Sequence, residues 1–337
     1  MEKTNIEILF EWMDEVTEII QHHDNETYLD SLAITMETLF YEEPSEHFNE
    51  RIRHQIQSLL GKINIKQFTE EEIRKAIQLV ILKGMQRTTQ IQHMITPEAV
   101  SLFVGYLAGK LMIQDETIRI FDPASGTASL LTTVLSQLPQ QKEVYASEID
   151  PTLLKIALQN ANLQKMNIEF FHQDSLRPFL LDPVDLVVSD LPVGYYPDDV
   201  LANEYQLKAD EGHSYAHHLF IEQSLHYTRN GGYLIFLIPE FLFDSDQSDQ
   251  LYQFLQENAH IVGVLRLPES SFKSKRNIKS ILILQKKGKT TNTFKQPLLV
   301  DLPSFKNTHA MEDILTQMNA WFKENTTKTD KENNDND

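Results

Sequence analysis

The sequence predicts an α/β protein: a mostly parallel sheet flanked by helices, preceded by a small helical domain. Two observations carry this. Over residues 1 to about 90, apolar residues recur at steps of three and four, the period of helices with one buried face. From Thr117 onward the period changes, and short apolar runs alternate with helical stretches, the pattern of strands joined by crossover helices.

Each element follows from its own residues. Ile6, Leu9, Trp12, Met13, Val16, Ile19 and Ile20 mark one helical stripe. Leu29, Leu32, Ala33, Met36, Leu39 and Phe40 mark a second, and Phe48, Ile52, Ile56, Leu59 and Leu60 a third. A fourth helix, "FTEEEIRKAIQLVILKGM", is expected to be capped by Thr69, with acids in its first turn. Residues 1–90 are therefore expected to form a helical domain. In "ITPEAVSLFVGYLAGKLM", Thr96 is a candidate cap and Pro97 a candidate first helical residue. Strands are expected at "TIRIFD", "EVYASE", "IEFFHQD", "VDLVVSD", "GGYLIFLIP", "IVGVLRLP" and "NIKSILILQKKG". Helices are expected at "SLLTTVLSQL", "PTLLKIALQNANLQ" and "HHLFIEQSLHYT". These elements assign residues 91–322 to the α/β domain. Residues 323–337 are polar and read as a disordered tail.

The chain has 337 residues, 41% of them hydrophobic, enough for one large domain or two modest ones. Cysteine is absent, which excludes disulfides, thiolate metal sites and cysteine nucleophiles. No apolar run reaches the roughly 20 residues of a membrane span, and the N-terminus carries acids where a secretory signal would be apolar. A cytoplasmic protein is expected. The formal net charge of −19 opposes non-specific binding to a phosphate backbone. Two basic segments could still form a local groove. One holds Arg51, Arg53, Lys62, Lys66, Arg74, Lys75, Lys83 and Arg87; the other holds Lys273, Lys275, Arg276 and Lys279.

The strongest chemical signal is "FDPASGTASLLTTV". A strand ends in Asp122, a tight loop with Gly126 follows, and then a helix begins. Ligands of open α/β sheets bind at such strand ends. With one glycine the loop fails the dinucleotide fingerprint, and no phosphate-binding "GK[ST]" loop is present. An acid directly before the turn suits a cationic or zwitterionic ligand. Glu148 ends the next strand, where a carboxylate can accept both hydroxyl hydrogens of a ribose. Ile149 could pack on a purine face. Asp174 and Ser175 follow the third strand, where a purine edge could be read.

These loops resemble the class I S-adenosylmethionine-dependent methyltransferases, and among them the N6-adenine DNA methyltransferase group, with the modification subunits of type I restriction systems and their small bacterial relatives. "DPASGTA" is similar to that group's "DPACGTG" loop, and "HMITP" to the element before its first core helix. The likeness covers about residues 90–286. It implies a Rossmann-like sheet and S-adenosylmethionine as cofactor. It would place Thr96 and Pro97 beside the methionine moiety, and Asp122, Ala124, Ser125 and Gly126 along it. Glu148 would hold the ribose, and Ile149 and Asp174 the adenine.

The group's "NPP[YF]" loop corresponds here to Asp190-Leu191-Pro192-Val193. An adenine amine is a poor nucleophile, so a side-chain oxygen and a backbone carbonyl must take its hydrogens and aim its lone pair. Asp190 and the Leu191 carbonyl can do so, and Pro192 stiffens the loop. Val193 stands where the group has a ring that stacks on a flipped base. Tyr195 and Tyr196, just beyond, are candidate substitutes, with packing beneath the loop as the other reading. The expected activity is methyl transfer to an amino group, plausibly adenine N6 in nucleic acid, with no metal. The alternative is a non-catalytic interaction protein that keeps the fold and the cofactor pocket. A nucleic-acid or protein substrate, and a partner that supplies specificity, are the expected associations.

Overall fold

A computed structural model describes residues 3–86, 95–113, 116–178, 180–272, 277–289, 291, 294 and 296–326. The described chain begins with α1 (Asn5–Asp24), α2 (Tyr28–Tyr41), α3 (Glu50–Leu60), α4 (Glu70–Gln86) and α5 (Glu98–Leu111). Then come β1 (Thr117–Asp122), α6 (Ser129–Leu135), β2 (Gln141–Glu148), α7 (Pro151–Leu163), β3 (Glu169–His172) and β4 (Val184–Asp190). It continues with α8 (Asp199–Ala202), α9 (Ala216–Tyr227), β5 (Thr228–Pro239), α10 (Ser248–Asn258) and β6 (Ala259–Arg266). It closes with β7 (Lys279–Lys286), β8 (Leu298–Asp301) and α11 (Thr308–Thr326). The strands order as β3-β2-β1-β4-β5-β7-β6-β8. Strand order reverses at β1, since β2 continues to one side of it and β4 lies on the other. That is where an open α/β sheet binds its ligands.

Two compact units divide the chain. The first comprises Met1–Thr96, Ser125–Thr133 and Tyr145–Asp174; the second comprises Pro97–Ala124, Val134–Val144 and Ser175–Asp337.

In the first unit, α1 to α4 bury the expected stripes except for Phe40, which is exposed, and Ile156 and Leu163 of α7 join the same core. Trp12 donates its indole N–H to the Leu59 carbonyl at 2.9 Å, so its polar edge is satisfied inside. Thr4 and Glu7 form a capping box on α1. Thr69 does the same on α4: its hydroxyl accepts from the Glu72 N–H, and Glu72 accepts from the Thr69 N–H. β2 and β3 pair in parallel, with Glu148 opposite His172.

In the second unit, β1 pairs with β4 and β4 with β5, both in parallel. β7 departs from the parallel expectation: it runs antiparallel to β5 and to β6. Its apolar run shows that it is buried but not which way it runs. Val100, Phe103, Val104, Leu107, Ala108 and Leu111 form the buried stripe of α5. Its start differs from expectation. Pro97 is the N-cap residue, no side chain caps it, and the helix begins at Glu98. Pro97 therefore offers its carbonyl to the N–H groups of Val100 and Ser101 rather than filling the first turn. Lys323, the expected start of the tail, lies inside α11; residues 327–337 are outside the described part.

Candidate functional site

The loop after β1 and the end of β2 supply the candidate cofactor residues. In the first unit, Gly126 takes φ 54°, and a methyl group added there would meet nothing within 4 Å. The turn needs a left-handed residue, and the space beside it is open. Gly126 donates its N–H to Glu148 Oε2 at 2.8 Å, and Asp150 donates its N–H to Glu148 Oε1 at 2.9 Å. Both carboxylate oxygens are thus fixed, and each keeps acceptor capacity for a further donor. Ser125 donates its N–H to the Ser147 carbonyl at 3.0 Å. Its hydroxyl is buried without a hydrogen-bond partner, which is costly in a finished interior and fits a site that takes a polar ligand. Ile149 is 63% exposed, the open apolar surface a purine face requires. Asp174 is half-buried, and His172 meets the Ile149 carbonyl at 3.0 Å.

In the second unit, Asp122 is almost fully buried. Its Oδ1 accepts from the Ala124 N–H at 3.1 Å and from the Ser189 hydroxyl at 2.7 Å. Asp122 therefore shapes the turn, an Asx-type arrangement, in addition to any charge it offers. Ser175 is also buried, and its hydroxyl donates to the Pro123 carbonyl at 2.7 Å. Its proton ties the loop down, and its oxygen keeps acceptor capacity. Ser189 was not singled out from the sequence; as a polar residue among apolar strand neighbours it was the only local sign.

The acceptor-side loop begins at the end of β4. Asp190 lies opposite Leu237 of β5, and Leu191, buried, donates its N–H to the Leu237 carbonyl at 3.2 Å. Pro239 of β5 lies opposite Lys279 of β7. Lys279 reaches across β5 and forms an ion pair with Asp190. Pro192 and Val193 are exposed. Gly194 accepts from the Ala216 N–H at 2.9 Å, and Tyr196 donates to the Ser214 carbonyl at 2.8 Å. These bonds staple the loop to the segment before α9. Tyr195 is 60% exposed and its ring stacks on Tyr215 at 5.0 Å, which stacks in turn on His217 at 5.1 Å. Tyr196, in contrast, is buried.

Beneath the loop, His217 and His218 are fully buried, and none of their ring nitrogens has a hydrogen-bond partner. Burial, with His218 and the Lys279 charge, pushes His217 down to about 3; the nearby Pro192 backbone opposes this from outside hydrogen-bond geometry. Burial pushes His218 down to about 4, against the opposing charge of Asp246. Both rings are neutral near pH 7. Both side chains belong to the interior and not to the surface.

In the first basic segment Arg51 and Lys62 are exposed, while most of the other described cations are tied down. Arg53, Lys66, Lys75 and Lys83 pair with acids of the same unit, and Arg74 is buried with a contact to Thr133. Arg87, Lys273, Lys275 and Arg276 lie outside the described residues.

The model of the N-6 DNA methylase family matches residues 64–336, most of the chain. The chain belongs to this family. A second model, the YtxK N-terminal helical domain, matches residues 7–85. The uncharacterized YtxK protein of Bacillus subtilis is 45% identical over 96% of this chain and 99% of its own. A Listeria monocytogenes structure, provisionally described as a class I S-adenosylmethionine-dependent methyltransferase, is 39% identical with a TM-score of 0.89, covering 94% of this chain and 99% of its own. A Vibrio vulnificus structure, described as the modification subunit of a provisional type I restriction enzyme, shares the fold at TM-score 0.61 and 17% identity, covering 86% and 66%. Fold and family make this chain an S-adenosylmethionine-dependent methyltransferase of class I.

Proposed function

We propose that Ser125, Gly126 and Glu148 form the polar cradle for S-adenosylmethionine, and that the loop Asp190-Leu191-Pro192 presents an amino group for methylation, adenine N6 in nucleic acid being the acceptor. The observation that carries the reading is Glu148. Its carboxylate is oriented by two backbone N–H groups and retains one acceptor site per oxygen for two vicinal hydroxyls. The partnerless Ser125 hydroxyl and the open space beside Gly126 agree with a ligand there. Ile149 offers its exposed side chain to the purine face, and Asp174 stands at the purine edge. Asp122 and Ala124 hold the turn in shape, and Thr96 and Pro97 border the methionine moiety.

Bound in this cradle, S-adenosylmethionine supplies a methyl group on a cationic sulfonium. The chain's own residues do the rest by placement. Asp190 and the Leu191 carbonyl accept the hydrogens of the incoming amine and direct its lone pair. The buried Leu191 side chain anchors the loop and Pro192 limits its motion. Val193 packs against the acceptor ring, and Tyr195 supplies the aromatic face that Val193 lacks. Four cations of the first basic segment are paired with acids and the net charge is −19, so a partner protein supplies capture of the target nucleic acid.

Isothermal calorimetry tests the cradle. Glu148→Ala should weaken S-adenosylmethionine binding about 100-fold or more, the loss of two hydrogen bonds to a charged group. Glu148→Gln should fall between the two, with a thermal midpoint close to wild type. Equal affinities in all three proteins would refute the assignment.

A further inference from the structure

Asp190, the residue proposed to face the acceptor, is held in an ion pair with Lys279. Each partner keeps about a fifth of its side chain exposed, 17% for Asp190 and 21% for Lys279, so an incoming group can reach both. Three adjacent strands fix the pair. Asp190 ends β4, Lys279 begins β7, and β5 lies between them, with Pro239 opposite Lys279. The buried, neutral His217 lies close enough to feel the Lys279 ammonium.

A lone carboxylate at this place would favour a cationic acceptor, such as an alkylammonium. The neutralised pair reverses that preference. Lys279 repels a second ammonium, and the pair offers a hydrogen-bond acceptor beside a hydrogen-bond donor. The complement is a neutral group with the opposite pattern: an NH2 on a carbon that also bears an acceptor atom. Adenine has this edge, the 6-amino group flanked by ring nitrogens. Five residues beyond Asp190, the exposed Tyr195 ring is held by its stack on Tyr215, a flat platform that suits a flat ring.

We infer that Lys279 is a specificity-determining residue: it donates to the ring nitrogen beside the reacting amine, so the acceptor is a nucleobase edge and not an alkylamine. This rests on the reading of the Asp190 loop given above.

The test uses the full chain with S-adenosylmethionine and three single-stranded oligonucleotides, carrying one adenine, one 1-deazaadenine or one 7-deazaadenine. Each deaza base lacks one ring nitrogen next to the amine. Wild type should lose roughly tenfold or more in kcat/KM on one of the two deaza probes, the cost of one charge-assisted hydrogen bond. Lys279→Met should lose a similar factor on adenine and nothing further on that deaza probe. Lys279→Arg, which keeps charge and donors, should restore part of the discrimination. S-adenosylmethionine affinity and thermal midpoint, measured alongside, should match wild type in both variants. Additive losses from Lys279→Met and the deaza base would overturn the inference, as would equal transfer to a lysine peptide or preferred transfer to a glutamine peptide. A wild-type protein that binds S-adenosylmethionine and methylates no base would also overturn it, while leaving the methyltransferase assignment standing. Failure to bind S-adenosylmethionine would instead strike the cofactor reading itself.

Discussion

His217 and His218 place four ring nitrogens in the interior with no hydrogen-bond partner. Burial is the main cause that holds them down to about 3 and about 4, below the ordinary histidine value. The consequence for stability has a definite sign. Below about pH 6.5 the unfolded chain takes up protons at these positions and the folded chain does not. Their contribution is therefore complete above that pH and is lost as the pH falls toward 4 and then 3. The thermal midpoint should drop on going from pH 7 to pH 5, and His217→Phe should shallow that drop; calorimetric scans of both proteins across this range check it. An unchanged slope would mean that His217 is not a buried neutral group. At this scale the sequence disclosed the acids of the strand-end loops, because a loop after an apolar run is a visible place for a ligand. It did not disclose Lys279 as the partner of Asp190. The two are 89 residues apart, and only the order β4-β5-β7 brings them together. Lys279 read as one cation among several in a basic segment. The opposite fates of Tyr195 and Tyr196 were equally hidden, since adjacent residues of a loop carry no period that separates inside from outside.

The helices of the first unit were legible because each carries its own instructions. α4 has an apolar stripe of Ile73, Ala76, Ile77, Val80 and Ile81, all buried, and a reciprocal capping box at its start. Removing that cap by Thr69→Ala should cost about 1 kcal/mol, read as a lower urea midpoint with an unchanged slope of unfolding free energy against denaturant. A change well under half of that would show that packing alone sets the start of the helix. Elements with weaker instructions escaped notice. α10 buries only Leu251, Phe254 and Leu255, and β8 is four residues at the sheet edge. The direction of β7 is set by its neighbours and leaves no mark on its own apolar run. The cap of α5 was misplaced by one residue because Pro fits both the cap and the first turn, and its neighbours could not arbitrate.

Across the whole molecule, charge and chemistry point to a division of labour. A net charge of −19 and cations paired with local acids make the chain a poor collector of nucleic acid by electrostatics alone. The loops after β1 and β2 nevertheless carry an oriented carboxylate and a partnerless buried hydroxyl, which a scaffold has no physical need for. No helix among the described residues is long and apolar enough to cross a membrane. The central claim is that Asp190 presents an adenine amine for methylation, and labelled methyl transfer from S-adenosylmethionine to an adenine-bearing oligonucleotide tests it most directly. The account predicts incorporation at N6 by wild type and a fall of about 100-fold or more in Asp190→Ala, from lost orientation of the amine, with cofactor affinity unchanged. Equal rates in the two proteins, or tight cofactor binding with no transfer to adenine, would contradict it.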